Sequence, residues 1–177
     1  MLKKRFPPLA DILPVLAFTA VMFYGWSTVV FLWKLPAYLF FLTLGEIAVP
    51  FSHQLVINLA ETLFVAGLIL LVAALLPARV LKDAFVVRGS AIALTWVGAM
   101  MLIIHRSVTN RLGPPAYWPL WILAAVLAAI AFAWVASRVR VAGRALAWLG
   151  DQLTIFLFIL LPLSAVALVV VLVRLLF

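Results

Sequence analysis

The sequence predicts an all-α integral membrane protein: a bundle of five transmembrane helices with a short re-entrant or interfacial segment between the first two. Hydrophobic residues make up 69% of its 177 residues and charged residues only 10%, whereas soluble domains average about 45–50% apolar and about 25% charged. The mean hydropathy is +1.32, and the apolar runs are each near the roughly 20 residues that a transmembrane helix needs. We therefore expect residues 1–177 to form a single membrane domain.

Prolines, charges and polar residues set the expected ends of the five spans. Asp11 can cap the first helix, and Pro14 is tolerated within its first turn. Lys34 and Pro36 are expected to end that helix, and Pro77 is expected to end the second. The predicted spans are residues 12–33, 54–76, 89–105, 117–136 and 152–176.

The stretch between the first two spans, residues 36–50, is apolar throughout but is bracketed by two prolines. As a helix, its 13 internal residues would reach only about 20 Å at the usual rise of 1.5 Å per residue. This length is too short to cross a hydrocarbon core of about 30 Å. We expect the segment to lie in the membrane interface or to re-enter the membrane from one side.

The distribution of lysine and arginine predicts the orientation of the bundle. With five spans, nine of these residues fall on the side of the N-terminus and four on the other side. A sixth span at 36–50 would instead leave six on the N-terminal side and seven opposite, against the excess of positive charge in cytoplasmic loops. We expect a protein of the cytoplasmic (inner) membrane, with its N-terminus in the cytoplasm and its C-terminus outside. The nine are Lys3, Lys4, Arg5, Arg79, Lys82, Arg88, Arg138, Arg140 and Arg144, and the four are Lys34, Arg106, Arg111 and Arg174.

The stretch SHQLVINLAETLF, residues 52–64, carries polar side chains into the second apolar span. Gln54, Asn58 and Glu61 are spaced i, i+4 and i+7, so they share one helix face. A charged carboxylate at the centre of a membrane helix costs about 2.5–3.5 kcal/mol on insertion scales, and such groups usually face the protein interior and often mark function. Hydroxyl groups of the first and third spans are expected at a comparable depth, where they could hydrogen-bond a protonated Glu61. The predicted polar intramembrane site comprises Glu61, Asn58, Gln54, Thr95, Ser27 and Thr28.

Two interpretations of this polar site remain open. In the structural one, Glu61 is neutral and is satisfied by Asn58 and neighbouring hydroxyl groups inside the bundle. In the functional one, Glu61 relays a proton, binds a coupling ion, or contacts a polar group of a substrate or a partner subunit. The second span contains no further acid and no basic partner with which to build a path, and this favours the structural interpretation.

His53 and His105 are the only histidines of the chain. The five spans place both at the outer ends of adjacent helices, with Glu46 on the segment that precedes His53, so the three residues form a candidate outer-face cluster. Two imidazoles and a carboxylate can hold a metal ion, and two imidazoles can hold a haem. Both histidines lie at span ends with access to water, however, so we predict no metal and no cofactor.

The sequence lacks the motifs of familiar catalytic sites. It contains no cysteine, which excludes disulfides and thiolate sites, and no HExxH, GxSxG or phosphate-binding glycine motif. Its basic residues are not gathered on one face with interleaved aromatics, so nucleic-acid binding is not expected. An enzyme is therefore the least favoured class.

Small residues predict where helices approach one another closely, because they let two backbones come together in lipid. Two spans carry such residues at regular intervals, and we expect both series to be packing seams. The series are Ala60, Gly67 and Ala74 in the second span, spaced by seven, and Ala125, Ala129 and Ala133 in the fourth, spaced by four.

Taken with the short loops, these features favour a non-catalytic integral-membrane subunit or scaffold that packs with the lipid bilayer and with other membrane-protein subunits. The alternative is a small transporter or channel component in which Glu61, Asn58 and Gln54 line an outward-facing polar cavity. A subunit predicts an apolar surface interrupted by a partner patch, whereas a transporter predicts a wet cavity leading to Glu61.

Overall fold

The computed structural model describes residues 6–76, 81–109 and 118–176, and these residues form helices joined by short connections, with no strand among them. Five of these helices are long and apolar enough to cross a membrane, so the all-helical class is confirmed and the described residues contain five candidate spans. The helices are α1 (Leu9–Phe41), α2 (Leu44–Leu75), α3 (Phe85–Thr109), α4 (Trp118–Arg138) and α5 (Arg140–Leu176), with a 3₁₀ turn at Lys82–Ala84 before α3.

Some of the sequence predictions fall outside these ranges. Pro77, predicted to end the second span, and residue 117, predicted to open the fourth, lie outside the described residues. The same holds for five of the basic residues used to predict the orientation, which are Lys3, Lys4, Arg5, Arg79 and Arg111.

Helix α1 is longer than predicted. It passes through Lys34 and Pro36 and ends at Phe41, so the prediction that these two residues end it is wrong. A proline inside a helix removes one backbone hydrogen bond, but packing on both sides of Pro36 holds the helix together. The ring centroid of Phe31 lies 5.0 Å from that of Phe51 on α2 and 5.7 Å from that of Tyr38, which follows the proline by two residues.

Residues 36–50 do not form an element of their own. They comprise the end of α1, the connection Leu42–Thr43, and the first turns of α2, so they are the tip of a helical hairpin and not a sixth span. The hairpin is closed by a capping box: the Thr43 N–H donates to Glu46 Oε2 at 2.8 Å, and the Glu46 N–H donates to Thr43 Oγ1 at 3.4 Å. Helix α2 therefore begins at Leu44, ten residues before the predicted start of that span at 54.

Helices α1, α3 and α5 run in the same direction, and α2 runs against them. In the first turns of α1, Val15 lies close to Gly89 of α3 and Pro14 lies close to Gly150 of α5. The approach is tight at both places, since a Cβ built on either glycine would lie 3.0 Å from the neighbouring side chain. Further along, Trp26 of α1 reaches His105 of α3. The bundle thus has a hairpin end, which carries residues 41–44, and an opposite end, at which α1, α3 and α5 begin.

The buried core is formed by apolar side chains from all five helices. One cluster lies toward the opposite end and includes Val15, Phe18, Ile69, Phe85 and Leu146. A second follows α1 toward the hairpin end and includes Ala20, Tyr24, Leu55, Leu157 and Ala167.

Helices α4 and α5 meet at the single residue Val139. The fifth helix begins at Arg140 and not at the predicted 152, so most of the residues between the predicted fourth and fifth spans are helical. Gly143 permits this sharp junction, because a Cβ there would lie 3.2 Å from the carbonyl oxygen of Ala136. Leu146, in the same stretch, is buried in the core, and this burial stabilises the additional turns.

The two series of small residues differ in what they face. Ala125, Ala129 and Ala133 are all buried, which confirms a packing seam on α4. On α2, Ala60 and Gly67 are exposed and Ala74 is half-buried, and nothing lies within 4 Å of a Cβ built on Gly67. Ala60 and Gly67 therefore face outward, and the α2 series is not a seam within the described chain.

A polar groove between the first two helices

An open groove of about 640 Å³ runs between α1 and α2 toward the hairpin end. The spacing of Gln54, Asn58 and Glu61 predicted that these side chains share a face, and all three line the groove. Ser27, predicted at a comparable depth on the first span, lines it as well. The lining is Trp26, Ser27 and Val30 from α1, with Val49, Pro50, His53, Gln54, Ile57, Asn58 and Glu61 from α2.

Pro50 shapes the α2 wall of the groove, since a proline within a helix lacks the N–H that would bond four residues back. Side chains in the next turn bond to nearby backbone carbonyls. Ser52 Oγ donates to the Ala48 carbonyl at 2.8 Å, and His53 Nδ1 lies 3.0 Å from the Val49 carbonyl oxygen. A carbonyl only accepts, so this bond places the proton on Nδ1 and leaves Nε2 of a neutral His53 ring as an acceptor.

Asn58 joins the α1 and α2 walls of the groove by a hydrogen bond. Its Nδ2 donates to Ser27 Oγ across the helix interface, and Ser27 Oγ donates in turn to the Tyr24 carbonyl at 3.2 Å. Asn58 is only 3% exposed, so this amide is a buried and partnered group. Ser27 thus bonds Asn58, and not Glu61 as the sequence suggested.

Glu61 lies near the middle of α2. It is 17 residues after Leu44 and 14 before Leu75, so about 26 Å and about 21 Å from the two ends of the helix at 1.5 Å per residue. Because α2 begins at Leu44 and not at the predicted residue 54, Glu61 lies farther from the start of its helix than the sequence predicted.

The Glu61 side chain is exposed on the outside of the bundle, contrary to the expectation that it faces the interior. The inward position is taken by the next residue, Thr62, which is 2% exposed, and successive helical residues point about 100° apart. Apolar residues one turn before and after Glu61 on the same side of α2 are also exposed, namely Ile57 at 55% and Phe64 at 67%. Among the described residues, no hydrogen-bond donor and no charge acts on it.

Gln54 adds a second polar group without a partner. Its Nε2 is buried and has no hydrogen-bond partner in the described part of the chain, although a side-chain amide carries two donors. Gln54 and Glu61 are seven residues apart, so they are separated by about 10 Å along α2. The groove therefore carries an amide donor and a carboxyl group, two turns apart, that the described chain leaves unbonded.

Compared with models of known protein families, with curated proteins and with solved structures, the chain matches none. Its function therefore has to be inferred from the chemistry of the groove and from the surface around it.

Two of the predicted site residues do not line the groove. Thr95 Oγ1 donates to the Ala91 carbonyl of its own helix at 2.8 Å, a common arrangement for threonine within a helix. Thr28 follows Ser27 on α1 but is not part of the groove lining.

The candidate outer-face cluster does not come together as a metal site. In the described ranges there is no group of three or more histidine, cysteine, aspartate or glutamate side chains that could hold a metal ion. Glu46 is engaged in the capping box with Thr43. The ring centroid of His105 lies 6.0 Å from that of Trp26, edge to face, and 6.4 Å from that of Trp33, so this histidine packs against two aromatic side chains of α1.

A buried polar contact between three helices was not anticipated from the sequence. The Tyr24 hydroxyl donates to the Leu55 carbonyl at 3.3 Å and forms a short hydrogen bond with Ser164 Oγ. Tyr24 is 5% exposed and Ser164 is fully buried, so the contact joins α1, α2 and α5 in the core. The signal available in the sequence was a tyrosine in the middle of an apolar run, because a buried tyrosine hydroxyl normally finds a hydrogen-bond partner.

Proposed function

We propose that this chain is a non-catalytic integral-membrane subunit that binds another membrane protein on the outer face of α1 and α2. One observation carries the proposal: Glu61 lies on the outer surface at the middle of α2, among exposed apolar side chains, and no described residue bonds it. In a bilayer this carboxyl group would face hydrocarbon, which is costly even when the group is neutral. A protein partner that covers Glu61 removes that cost.

The surface next to Glu61 is suited to a second helix. Ala60 and Gly67 are exposed beside it, and the space over Gly67 is open. Helices in lipid associate through small residues, which allow close backbone contact, and through polar side chains that bond across the interface. Both kinds of residue occur on this side of α2.

The orientation belongs to the same proposal. We place the protein in the cytoplasmic membrane with its N-terminus in the cytoplasm and its C-terminus outside, because nine of its lysines and arginines then lie on the cytoplasmic side. The hairpin end would lie at the outer interface. Its apolar tip, with Phe40 and Phe41 exposed, would be embedded in the headgroup region of the outer leaflet.

A photo-crosslinking experiment in intact membranes tests the proposed role. A photoreactive amino acid is introduced in place of Ile57, which lines the groove, and, as a matched control, in place of Ile130, an exposed residue of α4. We expect an adduct with a specific membrane protein from position 57 and only lipid adducts from position 130. Lipid adducts alone at position 57 would contradict the subunit role.

The groove also supports a second candidate, a small transporter or channel component, because Gln54, Asn58 and Glu61 all line it. In that case the protein alone, reconstituted in vesicles, would carry an ion or proton flux. Glu61→Gln would abolish the flux, since the amide keeps the shape of the side chain but does not titrate. A subunit without transport activity gives no flux with either protein.

A further inference from the structure

We infer that the partner presents a lysine or arginine, from the middle of a transmembrane helix, to the carboxyl group of Glu61. This inference rests on the proposed function, because it names the chemistry of the partner at the same surface. It commits to a heteromeric partner and not to a second copy of this chain.

The cationic nature of the partner follows from the surroundings of Glu61. Ionisable groups within a membrane are usually paired with one another or with backbone carbonyls, and the interaction of opposite charges is stronger where water is excluded. Among the described residues, no charge acts on Glu61, and its neighbours on the outer surface are apolar. A cation from outside the chain would complete the pair.

A second copy of the chain does not supply that cation. In the described helices, every lysine and arginine lies toward a helix end, whereas Glu61 is near the middle of α2. The remaining basic residues of the sequence precede α1 or fall between helices. The basic residues on helices are Lys34, Arg88, Arg106, Arg138, Arg140, Arg144 and Arg174.

The face of α2 adds one requirement for the partner helix, which is close backbone contact near Glu61. The open space over Gly67, on the side of Glu61 away from the hairpin end, gives room for that contact. The Gln54 amide does not take part, because its Nε2 is buried and a partner outside the bundle does not reach it.

Synthetic transmembrane peptides test the cation directly. The purified protein, labelled with a fluorescent donor, is reconstituted in phosphatidylcholine vesicles with an acceptor-labelled Leu-Ala helix that carries either a central lysine or a central leucine. We expect the lysine peptide to associate about tenfold more tightly, as for a strong side-chain pair in lipid. In Glu61→Gln this preference should disappear, whereas the matched control Glu46→Gln, in the capping box far from the groove centre, should keep it.

Exchange of the two charges provides a further test of the proposed pair. Glu61→Lys paired with a central-glutamate peptide should restore tight association, which a structural loss in Glu61→Gln would not allow. Equal association of lysine and leucine peptides with the unmodified protein would overturn the inference. So would energy transfer between two labelled copies of the protein that depends on Glu61, because the partner would then be a second copy.

The crosslinking experiment distinguishes a failure of the cationic partner from a failure of the subunit role. If position 57 crosslinks a membrane protein but the lysine peptide is not preferred, the subunit role stands and the cationic partner is wrong. If position 57 gives only lipid adducts, the proposed function itself fails, whatever the peptides do.

Discussion

Asn58 and Glu61 are separated by less than one helical turn, yet they have opposite surroundings. Asn58 is buried and bonded to Ser27 across the α1–α2 interface, whereas Glu61 is exposed and unbonded by any described residue. The helix face predicted to carry Gln54, Asn58 and Glu61 therefore contains two kinds of polar group. One holds the hairpin together, and the other is available to a partner.

Substitution of these two residues should separate stability from binding. Glu61→Gln should change the free energy of unfolding in detergent by less than about 0.5 kcal/mol, as for surface substitutions away from specific contacts. Asn58→Leu should destabilise the protein by about 0.6 kcal/mol or more, the average for a side-chain hydrogen bond between membrane helices. Thermal unfolding of both variants measures the difference, and equal losses would contradict this division of roles.

The buried contact of Tyr24 gives a second prediction at this scale. Tyr24→Phe removes the donor to the Leu55 carbonyl and leaves Ser164 without its partner, so it should cost about 1–3 kcal/mol of stability. Tyr38→Phe is the matched control, because no described contact involves the Tyr38 hydroxyl and the ring is retained. A Tyr24→Phe variant as stable as the control would mean that this contact contributes nothing.

At the level of the helices, the existence of each element could be predicted from the sequence, but several ends could not. Length and apolar character identified five helices, because these properties act locally. The end of α1 and the start of α5 depend on contacts with other helices: Phe31 packs against Phe51 of α2 near Pro36, and Leu146, in the first turns of α5, is buried in the core. Proline and basic residues are local stop signals, and here tertiary packing overrides them.

The candidate site was predictable to a similar degree. Helical periodicity brought Gln54, Asn58 and Glu61 to one groove, because the spacing of residues on a helix is fixed. Periodicity alone does not tell which side of a helix faces its neighbours, so the outward position of Glu61 and Gly67 required the packing of α2 against α1 and α5. Nor does the sequence tell which partner a hydroxyl group finds, and that of Thr95 bonds to its own helix.

The two series of small residues provide a prediction at the element scale. Ala129 is 4% exposed on the buried seam of α4, so Ala129→Leu should destabilise the bundle by about 1–3 kcal/mol through overpacking. Gly67→Leu meets open space, so it should leave the stability of the isolated protein nearly unchanged while weakening association with the partner helix. Thermal unfolding and the peptide assay measure the two effects, and a loss of stability in Gly67→Leu alone would contradict the packing described for α2.

For the whole molecule, the parallel course of α1 and α5 places the start of α1 and the end of α5 at opposite ends of the bundle, which fits the proposed orientation with the two chain ends on opposite sides of the membrane. A reporter fused after Phe177 should therefore report the outer side, and one inserted near Lys82 should report the cytoplasm. Paired alkaline phosphatase and fluorescent protein fusions, each active on one side only, make the measurement. A cytoplasmic signal from the C-terminal fusion would overturn the proposed orientation.

The unequal lengths of the helices have a consequence for the surrounding lipid. Helices α1, α2 and α5 contain 33, 32 and 37 residues, whereas α3 and α4 contain 25 and 21, so the first group is about 48–55 Å long and the second about 32–38 Å. In the proposed membrane placement, the surrounding bilayer would have to be thicker beside the hairpin and thinner beside α4. Such hydrophobic mismatch costs fractions of a kcal/mol per Å. A partner docked on the α1–α2 face would replace the lipid at the taller side and relieve the strain of the bilayer there, so bilayer thickness should tune how tightly the two proteins associate.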